Sequence, residues 1–174
     1  MDMLDVCGHS TTEIEMREGV VVRGGEKIER IRVRQNGRAV VACVGIAEKL
    51  VLEAHDDGEI EICGEGEIGT LHVEAVRRGK IVVRVARVCE CTVVGRGKGR
   101  ITFDGNTVVN GTLRAEGYKD AVIAIGCGVI IEKKGGYKWR TTGNATVLRG
   151  GRREKRKRCV LDAGDLDRSC GFSF

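Results

Sequence analysis

Between Arg30 and Ile125, short runs in which apolar and polar residues alternate recur about every twenty positions. Each copy reads as apolar-x-apolar, a polar turn carrying Gly or Asp, and a second apolar-x-apolar run. Aligned on the turn, the copies are Ile31-Arg-Val33…Gly37, Leu50-Val-Leu52…Gly58, Leu71-His-Val73…Gly79, Cys91-Thr-Val93…Gly99 and Leu113-Arg-Ala115…Asp120. After the turn come Ala39/Val41, Ile60/Ile62, Ile81/Val83, Ile101/Phe103 and Val122/Ala124, and the first anchors are spaced by 19, 21, 20 and 22 residues. Alternation with a period of two marks half-buried strands. Self-similarity at the longer period marks a repeat architecture, whose units bury their apolar faces only by stacking on one another.

The chain therefore predicts an all-β protein, and two arrangements of the copies compete. In a short parallel β-helix of about five coils, equivalent residues stack in columns: Leu50, Leu71, Cys91, Leu113 in one, and Ile60, Ile81, Ile101, Val122 in another. A third column, Ile68, Val88 and Val109, would supply a third face. In the alternative, each copy is an antiparallel hairpin of a meander that forms a sandwich or barrel. Asn36-Gly37 and Asp57-Gly58 are strong hairpin-turn signals in its favour. The near-constant period and the third column favour the coil. So does the scarcity of aromatics, since of Phe103, Tyr118, Tyr137, Trp139, Phe172 and Phe174 only Phe103 falls on an expected core position. A wide core relies on aromatic volume, whereas a narrow solenoid is filled by Val, Ile and Leu.

The pattern resembles the adhesin-type β-helix repeats of bacteria and archaea and, more weakly, the bactofilins, whose coils stack into filament-forming solenoids. The stretch Gly58-Glu-Ile-Glu-Ile-Cys-Gly-Glu-Gly-Glu-Ile68 carries the likeness best. Charged turns such as Arg77-Arg78-Gly79 stand where the adhesin type has Ser-Gly-rich ones. The resemblance implies a β-solenoid that associates with copies of itself.

Residues 28–131 form the repeat body. Residues 1–27 fit the period poorly and read as an edge or capping segment, because a terminal repeat must shield the open end of a stack. Residues 132–174 change character and form a basic, aromatic-containing segment with a tail, where a turn or two of helix is expected near Arg152–Leu161. Pro is absent and 26 Gly punctuate the chain, which suits many strands and tight corners. Gln35 is the single Gln, against 20 Arg and a 32% charged fraction, a composition reported for proteins of hyperthermophiles. Intracellular disulfides are common in that setting, so at least one is expected among the eight Cys, with Cys159–Cys170 one way of closing the tail. Buried apolar thiols are the alternative. The acidic start of the chain has no signal-peptide pattern and no run is long enough to span a membrane, so a cytoplasmic or virion location is expected.

The formal charge of +5 is unevenly placed. From Glu132 to Arg158 there are eleven Lys and Arg against two acidic residues, while residues 1–131 and 159–174 each sum to −2. The candidate nucleic-acid-binding residues are Lys133, Lys134, Tyr137, Lys138, Trp139, Arg140, Arg152, Arg153, Lys155, Arg156, Lys157 and Arg158. Cations set against phosphates release counterions and bind without regard to sequence, and exposed rings between them could stack on unpaired bases. Two other readings are a solvated tail that keeps the solenoid soluble and a cap in which Tyr137 and Trp139 shield the last coil.

Catalytic and metal chemistry find little support. Cys89-Glu-Cys91 and Cys7-Gly-His9 together offer four zinc-type ligands, yet Cys91 falls in a core column, so no metal or other cofactor is expected. His9, His55 and His72 are scattered, without a nucleophile at triad spacing. Gly95-Arg-Gly-Lys-Gly99 lacks the ending of a phosphate-binding loop and reads as a turn. Rows of Glu on a solenoid can form hydrolase sites, and Glu59, Glu61, Glu65 and Glu67 cluster. Lys80, Arg84 and Arg100 on neighbouring coils predict cross-coil ion pairs instead. The expected role is non-enzymatic: a homo-oligomeric scaffold, filament or virion subunit, with nucleic-acid binding by residues 133–158 as the alternative and an enzyme on a β-helix third.

Overall fold

A computed structural model describes residues 3–6, 11–14, 17–22, 25–132, 136–150 and 152–153, with side chains placed for 30–132 and 136–150. The strands are β1 (Met3–Val6), β2 (Thr11–Ile14), β3 (Arg17–Val22), β4 (Gly25–Val33), β5 (Arg38–Cys43) and β6 (Ile46–Ala54). Two long strands bend round corners, β7 (Glu59–Arg77) and β8 (Lys80–Gly97). They are followed by β9 (Arg100–Phe103), β10 (Val108–Val109), β11 (Leu113–Gly117), β12 (Val122–Ile125), β13 (Ile130–Ile131), β14 (Tyr137–Thr141), β15 (Thr146–Arg149) and β16 (Arg152–Arg153). Every pairing among the described residues is parallel except β15 with β16.

The parallel ladders define a β-solenoid of about six turns, each of roughly twenty residues, with three faces. Face one stacks β1, β3, β5, the starts of β7 and β8, then β9, β12 and β15. Face two stacks β2, the ends of β4, β6, β7 and β8, then β11 and β14. The narrow face three joins Ala47, Ile68, Val88, Val109 and Ile131. The hairpin meander is thereby excluded.

The inward columns follow the sequence closely. Leu50, Leu71, Cys91 and Leu113 are in register and buried, as are Ile60, Ile81 and Ile101. Two register assignments change. Ile101 stacks under Ile123, and Val122 instead pairs with Arg100 on the outer side. Ile31 pairs with Leu52 rather than Leu50, so the first copy also keeps a period of 21. Tyr137 and Trp139 continue the face-two columns above Leu113 and Ala115, at 0% and 8% exposure. Phe103 is therefore one of three core aromatics among the described residues. The helix expected near Arg152 is replaced there by β16; residues 154–161 lie outside the described residues.

One corner is built the same way in every described turn of the coil. A four-residue turn is closed by the fourth residue's N–H donating to the first residue's carbonyl: Gly37 to Arg34, Gly58 to His55, Gly79 to Val76, Gly99 to Arg96, Ala121 to Tyr118 and Ala145 to Thr142. The second residue is left-handed each time: Gln35, Asp56, Arg77, Gly97, Lys119 and Gly143, with φ between 55° and 66°. Asn36-Gly37 and Asp57-Gly58 thus occupy the third and fourth positions of a corner, not the two central positions of a hairpin. The left-handed region costs an L-residue about 1–2 kcal/mol, offset in part by the entropy that Gly loses on folding. Lys119→Gly is accordingly expected to raise stability by up to about 1 kcal/mol, and Lys119→Val to lower it by at least as much, in denaturant melts.

The fourth turn position lies against the preceding coil. A methyl carbon on Gly58 would stand 2.7 Å from the Val33 carbonyl oxygen, and on Gly79 or Gly99 it would overlap the carbonyl oxygen of Ala54 or Ala75. Where this position becomes Ala121 or Ala145, the wall residue below becomes Gly95 or Gly117. A methyl carbon there would come within 2.8 Å of the Ala121 Cβ or 3.0 Å of the Ala145 Cβ. The Gly95/Ala121 and Gly117/Ala145 contacts therefore have room for one Cβ each, whereas at Gly79 and Gly99 the backbone carbonyl of the coil below excludes a Cβ outright.

Candidate functional site

Outward positions carry charge that alternates along the coil. Residues 30–49 hold five basic residues and one acidic, whereas residues 50–70 hold seven acidic and no Lys or Arg. Residues 71–90 return to five basic against two acidic. In-register stacking sets these belts against one another at the inter-strand spacing of about 4.8 Å. Arg32 Nε meets Glu53 at 2.6 Å, Arg78 meets Asp57 at 2.7 Å and Lys80 Nζ meets Glu59 at 3.1 Å. Arg84 bridges Glu61 and Asp104, with Nη2 2.9 Å from the latter. The expected cross-coil ion pairs of the Glu59/Glu61 cluster are thus present. Exposed pairs contribute at most about 1 kcal/mol each; their larger effect is on register, because a slip by one coil would set like charge on like.

The pattern changes toward the C-terminal end. Arg96 Nε meets Glu74 at 2.8 Å while its guanidinium lies 4.8 Å from the centre of the Tyr118 ring. The Tyr118 hydroxyl donates to Glu116 at 2.7 Å, which pushes its pKa up, with burial adding to the shift. Beyond this chain cations dominate. Lys138 stacks in register on Arg114, both exposed, and Arg140 stacks on Glu116. β16 runs back along β15, setting Arg152 opposite Arg149 and Arg153 opposite Leu148. Arg149 occupies the register position above Ile125 and lays its guanidinium 4.6 Å from the centre of the Tyr137 ring.

Of the sequence-derived binding residues, the structure therefore brings Lys138 and Arg140 to one exposed strand and places Arg152 and Arg153 on the next face. Tyr137 and Trp139 point into the coil, where a base could reach them only if the last turn opened, so their role is packing. Lys133, Lys134, Lys155, Arg156, Lys157 and Arg158 lie outside the described residues. Arg114 and Arg149 escaped sequence reasoning. Arg114 was legible as the outward residue one coil before Lys138, once the longer step of 24 residues is allowed.

The disulfide expectation is corrected. Cys43, Cys63, Cys89, Cys91 and Cys127 form no disulfide, while Cys7, Cys159 and Cys170 lie outside the described residues. Cys43 and Cys91 are apolar fillers of the core, and burial pushes the Cys91 thiol well up, with the Glu90 charge adding. A raised thiol pKa stabilises the fold up to the unfolded value of 9.0 and loses that contribution as pH climbs beyond it. Alkylation of the native protein should label exposed Cys127 and spare Cys91 until denaturant is added, read by mass spectrometry.

Among the described residues no group of three or more His, Cys, Asp or Glu is arranged to hold a metal ion, and no helix is long and apolar enough to cross a membrane. His72 and His55 are half-buried beside Glu74 and Glu53, at 3.7 Å and 3.9 Å. Gly95–Gly99 contains a coil corner, in keeping with its reading as a turn. Fold and surface define a three-faced parallel β-solenoid with a charge-alternating body and a basic end. No family model, curated protein or solved structure matches the chain.

Proposed function

We propose that the protein is a non-enzymatic structural subunit that associates with copies of itself through the ends of its solenoid. The observation that carries this reading is the repeating parallel ladder, in which each coil pairs in register with the next through three faces. A ladder of this kind has no built-in stop, since the edge strand of a sheet is a template for another strand. The body supports the same reading: Glu53, Asp56, Asp57, Glu59, Glu61 and Glu74 are engaged with cations of neighbouring coils, as befits a rigid spacer. A filament or virion component is the assembly that such a subunit suits, in keeping with the resemblance to adhesin-type repeats and bactofilins. Light scattering across a concentration series tests it: mass should grow with concentration, and a strict monomer at millimolar concentration would overturn it.

A second reading, nucleic-acid binding at the basic end, is favoured by the Arg114–Lys138 stack, which extends the cationic surface beyond residues 133–158. Binding to single- and double-stranded DNA should weaken steeply with salt. Lys138→Glu, or deletion of residues 150–158, should lower both affinity and the salt slope; unchanged binding would rule this reading out.

A further inference from the structure

Charge matching between coils breaks at one corner of the body. The corner segment 55–59 carries three acidic residues, and 76–80 above it carries three basic ones. Arg77 meets Asp56, Arg78 meets Asp57 and Lys80 meets Glu59. The next corner, 96–100, is basic again, with Arg96, Lys98 and Arg100. Lys80 is thereby set in register beneath Arg100, and Lys98 takes the corner position that Arg78 holds one coil below. Like charges on facing strands destabilise a sheet. The geometry points to this corner as a binding ridge for the phosphodiester backbone of a nucleic acid, held by Lys98, Arg100 and Lys119. The ridge lies on the body of the solenoid; it shares only the class of partner with the nucleic-acid reading above and does not need the basic end.

These three cations are exposed, and their side chains make no ion pair or hydrogen bond among the described residues. The corner above offers one carboxylate, Asp120, whose Oδ1 accepts a hydrogen bond from Asn144 Nδ2 at 3.4 Å. Arg96 is engaged elsewhere, by Glu74 and the Tyr118 ring. Lys119 is also held in a strained conformation. Its φ is 62°, at the corner position where the coils on either side have Gly97 and Gly143. Residues kept in this region cluster at functional sites.

The same corner determines how an anion is held. In Gly95-Arg-Gly-Lys-Gly99 the amides are taken by the fold: the N–H groups of Lys98, Gly99 and Arg100 donate to the carbonyls of Arg77, Arg96 and Gly79. Recognition therefore falls to flexible side chains acting as point charges. An acidic peptide gains affinity from main-chain partners or side-chain pockets, and the corner amides are already engaged. A nucleic-acid backbone needs only cations, and binds them by releasing its counterions.

The test is fluorescence anisotropy with labelled single-stranded DNA, its duplex and the matching RNA across a salt series. Wild type should bind all three. The triple variant Lys98→Gln, Arg100→Gln, Lys119→Gln should bind roughly tenfold more weakly or worse, with a salt slope shallower by about 2–3. Its denaturant midpoint should be unchanged or higher, because like charge is removed, which separates lost binding from lost fold. Lys98→Gln alone should lower the slope by about 1, and Arg100→Lys should bind like wild type. Polyglutamate that displaces the DNA as well as unlabelled DNA does would overturn the phosphodiester assignment. Binding that survives the triple change, or survives Lys98→Gln with its slope intact, would overturn the ridge. Binding lost in the triple variant but kept in Lys138→Glu and after deletion of residues 150–158 would support the ridge and remove the basic-end reading. A wild-type chain that binds none of the three probes would overturn both and leave the scaffold reading standing.

Discussion

Gly79→Ala is expected to destabilise the protein by about 3 kcal/mol, the upper range for overpacking a tight interior. Gly79 does not need glycine for its backbone angles, since its φ is not positive. It needs glycine because the next coil down brings the Ala54 carbonyl to the place a Cβ would fill. That oxygen belongs to the backbone of a packed ladder and cannot swing aside, so trimming the Ala54 side chain should not help. Gly95→Ala offers the contrasting case. Its nearest obstacle is the Ala121 Cβ, at 2.8 Å. It should cost about 2 kcal/mol alone, and adding Ala121→Gly should restore about 1 kcal/mol or more, a coupling that a double-mutant cycle measures. Denaturant melts of the four proteins decide it: an additive Gly95/Ala121 pair would contradict the one-Cβ corner.

Phe103→Ala should cost about 3–5 kcal/mol. Phe103 is 0% exposed and stacks between Val83 and Ile125 in a face-one column that continues below through Ile62 and Val41. The coil is narrow and parallel ladders hold its walls at fixed spacing, so the void cannot collapse without breaking hydrogen bonds in two faces. Phe103→Leu should cost less than about 1.5 kcal/mol, because it retains most of the volume. If Phe103→Ala cost as little as Phe103→Leu, the interior would be less tightly packed than its burial indicates.

The columns that could be read from the chain are those with a regular turn marker. Gly37, Gly58, Gly79 and Gly99 sit at one position of the corner, so counting from them puts Ile60, Ile81 and Ile101 in register. At the next corner the marker becomes Ala121. The run Ala121-Val-Ile-Ala-Ile125 is apolar at every position, which leaves the phase of alternation open, and Val122 is taken for Ile123. Tyr137-Lys-Trp-Arg140 alternates in and out like Leu113-Arg-Ala115-Glu116, but the 24-residue step hides the match. Its cations draw attention to the rings as a binding surface, when the rings are core and the cations alone face outward. The cysteines mislead for a related reason: a count of thiols says nothing of their separation, and Cys91 was already identified by its column as a core residue.

The sequence by itself determined that the chain is all-β, that it repeats, and which alternate residues turn inward through most of the body. These are local properties, set by side-chain alternation and by residues that favour corners. Only the tertiary structure decided that the copies stack as parallel coils, because a hairpin and a coil corner draw on the same Asn-Gly and Asp-Gly pairs. The choice between them is made by contacts about twenty-one residues apart: corner residues seated without spare room against the coil below, a carboxylate belt held between cationic belts, and aromatic rings closing the last described coil.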